Sequence, residues 1–344
     1  MTKANPEAAR KMLEALSAMG LSIDDLVAAG RGSQDDKPRV TVAQFLSQVE
    51  DAATDGKKKT YATYWRLLVE QLGDESLTEV KTSTLQALSL HAKNHAVKRS
   101  NSRNGTSAQE SCISAVRCFF ALAVADGLIE KSPAAALKKP ARQLSDRRAF
   151  SDDEVVTLYK VTSTGGDDPI LDTLLLRFHL ETGARRGGAL ALRRRDLNLE
   201  RQCIRLREKN EKQLWQPVSK TLLDALIEHC DARGTMAPDS AVFRHRPKQL
   251  DSEGIPITRR RYNTLVGRWG KSIPWVKELG VSIHWCRHHA TSAIERIAGY
   301  GVARAFAGHS GGDEVTNTYI KANLGEVARA VAVYTGEPHP LASS

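Results

Sequence analysis

Four short segments in the second half of the chain carry side chains suited to work on a phosphate ester. They are Thr182-Gly183-Ala184-Arg185, Lys209-Asn210-Glu211-Lys212, His284-Trp285-Cys286-Arg287-His288-His289, and Gly308-His309-Ser310 followed by Thr316-Asn317-Thr318-Tyr319. Breaking a phosphodiester needs a nucleophile, positive charge on the non-bridging oxygens and a proton for the leaving oxygen. A tyrosine phenol can serve as nucleophile once its proton is taken or its oxyanion stabilised. Arginine forks match paired phosphate oxygens and keep their charge, and a lysine ammonium can give up a proton. Each segment alone has a plainer reading: twin arginines as surface charge, a turn lysine as solvated, a tyrosine as packing. His284 and His288 also mimic a zinc-binding i,i+4 pair, but the glutamate of the usual motif and a third ligand are missing, so no metal is expected.

The elements that must position these groups are mostly helical. Residues 4–30 read as two short helices broken at Gly20, followed by the linker-like Gly30-Arg31-Gly32-Ser33-Gln34-Asp35-Asp36. Residues 37–140 read as all-helical, with Thr41 capping the first helix and Gly127 ending the last. The stretch Lys93 to Gly105 is basic, polar and free of acids, which suits either a solvated loop or a segment tracking a phosphate backbone. Pro133, Pro140 and a basic linker place the domain boundary near 140–149, before the acidic capping sequence Ser151-Asp152-Asp153-Glu154. Beyond it, an apolar helix is predicted over 169–181 and a strand pair at 203–207 and 214–218. Further helices are predicted at 219–231, 258–272, 287–298, 301–307 and 323–334. The fold class is therefore mainly α: a helical first domain, then a mixed, mostly helical second domain with a small antiparallel β-hairpin.

Bulk composition agrees with a polyanionic partner. Lys and Arg total 50 against 40 Asp and Glu, for a net charge of +10 and a pI near 9.4, and each phosphate neutralised releases condensed counterions. Cys112, Cys118, Cys203, Cys230 and Cys286 are odd in number and scattered, which suggests buried reduced thiols rather than disulfides or a zinc ribbon. No apolar run approaches the roughly 18 residues of a membrane span, and the N-terminus lacks the apolar core of a secretory signal. A cytoplasmic protein is expected. There is no Gly-rich phosphate loop ending in Lys-Ser/Thr and no acidic cluster for magnesium, so no cofactor is expected.

Taken together, the segments resemble the tyrosine recombinase (phage integrase) family, from about residue 37 to residue 334. Thr182-Gly183-Ala184-Arg185, continued by Leu192 and Asp196-Leu197, is similar to the family's first arginine box. Lys209, with Lys212 and Pro217, matches its hairpin lysine. His284-x-x-Arg287-His288 matches the second box, Gly308-His309-Ser310 the Gly-His-Ser triplet, and Tyr319 the nucleophile. Gly127-Leu128-Ile129 and Ser132-Pro133-Ala134 resemble the end of the family's helical core-binding domain.

The resemblance implies a site-specific recombinase that cuts and rejoins duplex DNA through a 3′-phosphotyrosine on Tyr319. Arg185 and Arg287 would clamp the phosphate, Lys209 protonate the 5′ oxygen, His284 assist proton transfer and His309 hydrogen-bond the phosphate. The implied organisation is a helical extension and linker (1–36), a core DNA-binding domain (37–140), a linker (141–149), a catalytic domain (150–335) and a tail (336–344). Candidate phosphate contacts are Lys93, Lys98, Arg99, Arg103, Lys138, Lys139 and Arg142, with Arg195, Arg244, Arg259 and Arg260 in the second domain; Arg193, Arg194 and Arg261 share their basic runs. The implied partners are double-stranded DNA, three further copies in a homotetramer on paired sites, and an accessory or directionality protein, with no membrane.

Two departures from the family pattern stand out. The acid usual three residues after the first arginine is Gly188 here, leaving Asp196 or Glu181 as substitute carboxylates for Arg185. The gap from His309 to Tyr319 is one residue longer than usual, which Gly311-Gly312 can absorb and which keeps Tyr334 as an alternative nucleophile. The helix around Val327, Val331 and Tyr334 reads either as a tail docking on a neighbouring protomer or as an ordinary intramolecular helix. The integrase of a mobile element is the leading biological role. The alternatives are a catalytically impaired DNA-binding protein of the same fold and a host chromosome-resolving recombinase.

Overall fold

Helical spacing of apolar residues builds the first of two units, Met1–Gln143 and Leu144–Ser344, in a computed structural model that describes residues 6–27, 39–97, 103–141, 147–207, 213–249, 252–308 and 323–343. Helix α1 (Pro6–Ala18) leaves Met12 and Leu13 exposed. Helix α2 (Val42–Ala52) starts at a capping box in which Thr41 Oγ1 accepts from the Gln44 N–H and Gln44 Oε1 accepts from the Thr41 N–H. Helices α3 (Asp55–Leu72), α4 (Thr82–Asn94) and α5 (Thr106–Ala125) follow, and residues 23–27 form a further helical turn before α2. Phe45, Trp65, Phe119 and Phe120 are fully buried at its centre, and the Trp65 indole N–H donates to the Ala115 carbonyl at 3.0 Å. Helix α5 is long and apolar enough to cross a bilayer, a length the sequence reading did not credit to any apolar run. Burial of Ile113, Val116, Phe119 and Phe120 in the helical core accounts for that composition.

The second unit begins at helix α6 (Asp152–Thr164), capped by the Ser151–Glu154 box, where Arg148 holds both Glu154 oxygens at 2.6 Å. Helix α7 (Pro169–Thr182) is buried along most of its length, with Leu171, Leu175, Leu176 and Phe178 in the core. The short α8 (Arg186–Ala191) follows one turn later. A three-stranded antiparallel sheet comes next, in the order β1 (Leu197–Asn198), β2 (Cys203–Arg207), β3 (Gln213–Pro217). Only β2 and β3 were predicted, because a two-residue strand has no alternation to read. The sheet is tied to the chain before it by Asp196, which is 0% exposed. Its carboxylate accepts from the Arg193 N–H at 2.9 Å, from Arg205 Nε at 2.9 Å, and from Arg207 Nη1 and Nη2 at 2.7 and 2.9 Å.

Helices α9 (Lys220–Ala232), α10 (Arg259–Ser272) and α11 (Pro274–Glu278) follow, and Leu222, Leu226, Tyr262, Leu265 and Val276 bury in the same core as α7. Helix α12 (His284–Phe306) breaks at Gly299, where the sequence predicted two helices, and it begins three residues earlier than expected. Helix α13 (Leu324–Thr335) lays Val327, Ala330 and Val331 against Ala290, Ile294 and Phe306 of α12. Within the single chain it packs on its own unit. The segment after it folds back on the same unit: Glu337 accepts from the Thr221 N–H at 3.0 Å, and His339 Nε2 lies 2.9 Å from the Gln202 carbonyl. All five cysteines are free, and only Cys118 is more than marginally accessible, so the thiols fill core space.

Two measurements follow from these buried groups. Asp196→Ala leaves Arg205 and Arg207 without their shared anion and is expected to destabilise the second unit by about 3 kcal/mol, read as a lower urea midpoint. Burial also holds the His179 and His229 rings neutral, with pKa values brought down to about 4 from 6.5. Between these limits the unfolded chain binds protons that the folded chain does not. Stability is thus complete above about pH 6.5 and is lost as the pH falls toward about 4. A thermal midpoint that stays level between about pH 7.5 and about pH 5 would contradict this.

Candidate active site around Arg185 and Arg287

The second box opens helix α12, and its arginine points inward. Arg287 is 6% exposed; its Nη1 donates to the Gly183 carbonyl at 2.7 Å and its Nη2 donates to the Ala307 carbonyl. One guanidinium therefore joins the turn after α7 to the end of α12. Gly183 makes this possible with a left-handed backbone (φ 60°), and a Cβ there would fall 2.9 Å from the Phe306 ring. Arg185 follows as the N-cap of α8, half-buried. At the other end Gly308 comes within 3.0 Å of Leu214 on β3, measured from a Cβ it lacks. The first arginine box, the second box, the glycine of the Gly-His-Ser triplet and the hairpin's second strand thus converge.

His284 occupies the first position of α12 and is exposed. Its ring stands nearly perpendicular to that of His288, with centroids 4.9 Å apart. Crowding by protein, then the positive charges of His288, Arg147, Arg287 and Arg185, brings its pKa down to about 4. A ring kept neutral beside three arginines can accept a proton, which an imidazolium cannot. Arg147 was missed in the sequence. It acts on both His284 and His288, and the only signal for it was the basic linker in which it lies.

Lys209, His309 and Tyr319 lie outside the described residues. The strands bounding the lysine turn pair in register up to Arg207 and Gln213. Tyr334, the alternative nucleophile, is excluded from that role as described: its hydroxyl donates to the Leu180 carbonyl at 2.9 Å and burial raises its pKa. The two substitute carboxylates are also corrected. All four acceptor positions of Asp196 are taken by Arg193, Arg205 and Arg207. Glu181 accepts from the Ser219 N–H at 2.6 Å and faces Arg177 at 3.7 Å. Gly188 is buried within α8.

The candidate phosphate contacts divide by burial. Lys138, Lys139, Arg259 and Arg260 are exposed, and Lys93 is half-buried. Arg195 is exposed but pairs with Asp239 at 2.6 Å. Arg244 is buried and committed to the Ala241 and Gly254 carbonyls and to Glu253. Its reading as a phosphate contact is withdrawn, because its charge is neutralised and its donors are used inside the fold. Arg261, from the same basic run as Arg259, is likewise spent on Asp172 and Asp167, each at 2.6 Å. Lys98, Arg99, Arg142 and the side chain of Arg103 lie outside the described residues.

Comparison with known proteins identifies the family. Residues 148–326 match the phage integrase family. The chain is 30% identical over 293 residues to tyrosine recombinase XerC of Xanthomonas axonopodis pv. citri, covering 83% of this chain and 90% of that protein. It is 29% identical over 248 residues to tyrosine recombinase XerD of Mycobacterium tuberculosis, covering 65% and 74%. Its fold is similar to a lambda integrase tetramer bound to a Holliday junction (TM-score 0.61, 15% identity, 91% of this chain and 90% of that one). It is also similar to the Tn1549 transposon integrase in complex with circular intermediate DNA (TM-score 0.60, 18% identity, 85% and 98%). The chain belongs to the phage integrase family of tyrosine recombinases, enzymes that cleave and rejoin DNA.

Proposed function

We propose that the chain is a site-specific recombinase in which Tyr319 attacks a scissile phosphate and carries a 3′-phosphotyrosine. Arg185 and Arg287 hold the non-bridging oxygens, where charge builds in the transition state. His284, kept neutral, takes the phenolic proton; Lys209 gives a proton to the departing 5′ oxygen, and His309 hydrogen-bonds the phosphate. The phosphotyrosine retains the energy of the broken ester, so the free 5′ hydroxyl of a partner strand can reverse the step without a nucleotide cofactor. The observation that carries this reading is the Arg287 bridge from Gly183 to Ala307, which brings the flanks of Arg185 and His309 to one place.

The substrate in this reading is duplex DNA, bound by Lys138 and Lys139 in the first unit and by Arg259 and Arg260 in the second, with four copies acting on two paired sites. Fold similarity to a lambda integrase tetramer on a Holliday junction and to a transposon integrase on circular intermediate DNA supports that assembly and a mobile-element role. The identity to XerC and XerD favours a second reading, a host chromosome-resolving recombinase. Recovery of an excised circle containing the gene would decide for the first.

Incubated with a nicked suicide duplex bearing its cognate site, the wild-type chain is expected to form a covalent protein–DNA adduct. Tyr319→Phe should form none, and Tyr334→Phe should form it at close to the wild-type rate. An adduct from Tyr319→Phe would remove the nucleophile assignment. In salt titrations of DNA binding, Arg259→Ala and Arg260→Ala should each lower the slope of log K against log salt by about 1. Arg244→Ala should leave that slope unchanged while lowering stability by about 2 kcal/mol; the opposite pattern would reverse the division between surface and structural arginines.

A further inference from the structure

We propose that Tyr262 and His179 form a buried relay that orients Arg185, which makes Tyr262 a positioning residue for DNA cleavage. The proposal rests on the reading of Arg185 as a phosphate ligand. His179 lies in the last turn of α7 and is 1% exposed; Tyr262 lies in the first turn of α10 and is also 1% exposed. His179 Nδ1 is 2.9 Å from the Ala184 carbonyl oxygen, and His179 Nε2 is 2.9 Å from the Tyr262 hydroxyl.

The direction of each hydrogen bond follows from the chemistry. A carbonyl oxygen only accepts, so Nδ1 carries the proton and donates to Ala184. Burial, reinforced by the nearby Arg186 charge, keeps the ring neutral. Nε2 is therefore a lone pair, and the Tyr262 hydroxyl must donate to it. The relay runs one way, from Tyr262 through His179 to the Ala184 carbonyl.

That carbonyl belongs to the peptide plane that also contains the Arg185 N–H and Cα. Fixing the carbonyl fixes the plane, and with it the direction in which the Arg185 side chain leaves the backbone. The preceding carbonyl, Gly183, is held by Arg287. Two successive carbonyls before Arg185 are thus each gripped by a buried side chain, one from α12 and one braced from α10. A rotation of about 10° at this point moves a guanidinium by on the order of 1 Å, a misplacement that can cost up to about a hundredfold in rate. Such bracing suits a turn whose usual family acid is replaced by Gly188, and whose two sequence-neighbouring carboxylates are committed elsewhere.

The test is single-turnover adduct formation by the full chain on a nicked suicide duplex bearing its cognate site. Tyr262→Phe keeps the ring and removes the donor. It is expected to lower the rate constant about tenfold while DNA affinity stays within about twofold. In an Arg185→Lys background the same change is expected to alter the residual rate by less than about twofold, because its effect passes through Arg185. A loss of folded protein would lower adduct yield and leave the rate constant unchanged, so folding and positioning separate. An unchanged rate constant, or an equal loss in both backgrounds, overturns the relay. If Arg185→Lys itself cleaves at the wild-type rate, the phosphate-ligand reading of Arg185 fails instead.

Discussion

The candidate site of the second unit depends on one buried cation. Arg287 reaches from α12 to the carbonyls of Gly183 and Ala307, the two helix ends that also meet where Gly183 packs against Phe306. A guanidinium is well suited to this, since its fork offers several donors in fixed directions and cannot lose its charge. Burial of that charge costs desolvation energy, which the two carbonyl dipoles help to offset. In the proposed reaction the same side chain meets the scissile phosphate, so structure and proposed chemistry draw on one cation.

Burial sorts the many arginines of the second unit into two populations. Arg205, Arg207, Arg233, Arg244, Arg261 and Arg268 are bonded to carboxylates that are themselves mostly enclosed, chiefly Asp168, Asp172 and Asp196. These pairs pin helices and strands whose apolar contacts alone would leave sliding room. Arg259 and Arg260 stay at the surface. The total of 50 Lys and Arg therefore overstates how many cationic side chains are available to an external polyanion.

The helical plan was legible because helix signals are local. The Thr41 and Ser151 caps, the apolar spacing of α7 and the alternation of β2 are each written within a few residues. The short α8, α11 and β1 were missed, being six, five and two residues long, too few for a periodic pattern to repeat. The family motifs were legible for a related reason: in the proposed reaction Arg185, His284 and Arg287 answer to the chemistry of the phosphate, which limits residue type along the chain.

The sequence by itself determined the fold class, the family and the identities of the candidate catalytic groups. Only the tertiary structure decided which groups were free to act. Tyr334 and Arg244 carry the right chemistry, but the Leu180 carbonyl and Glu253 with two carbonyls have claimed them. Asp196 and Glu181 stand near Arg185 in sequence yet serve the sheet and the start of α9. Tyr262 meets His179 across 83 residues, a pairing that leaves no local periodicity. Availability depends on distant neighbours, burial and the direction of each donor, and these come into being only when the chain closes on itself.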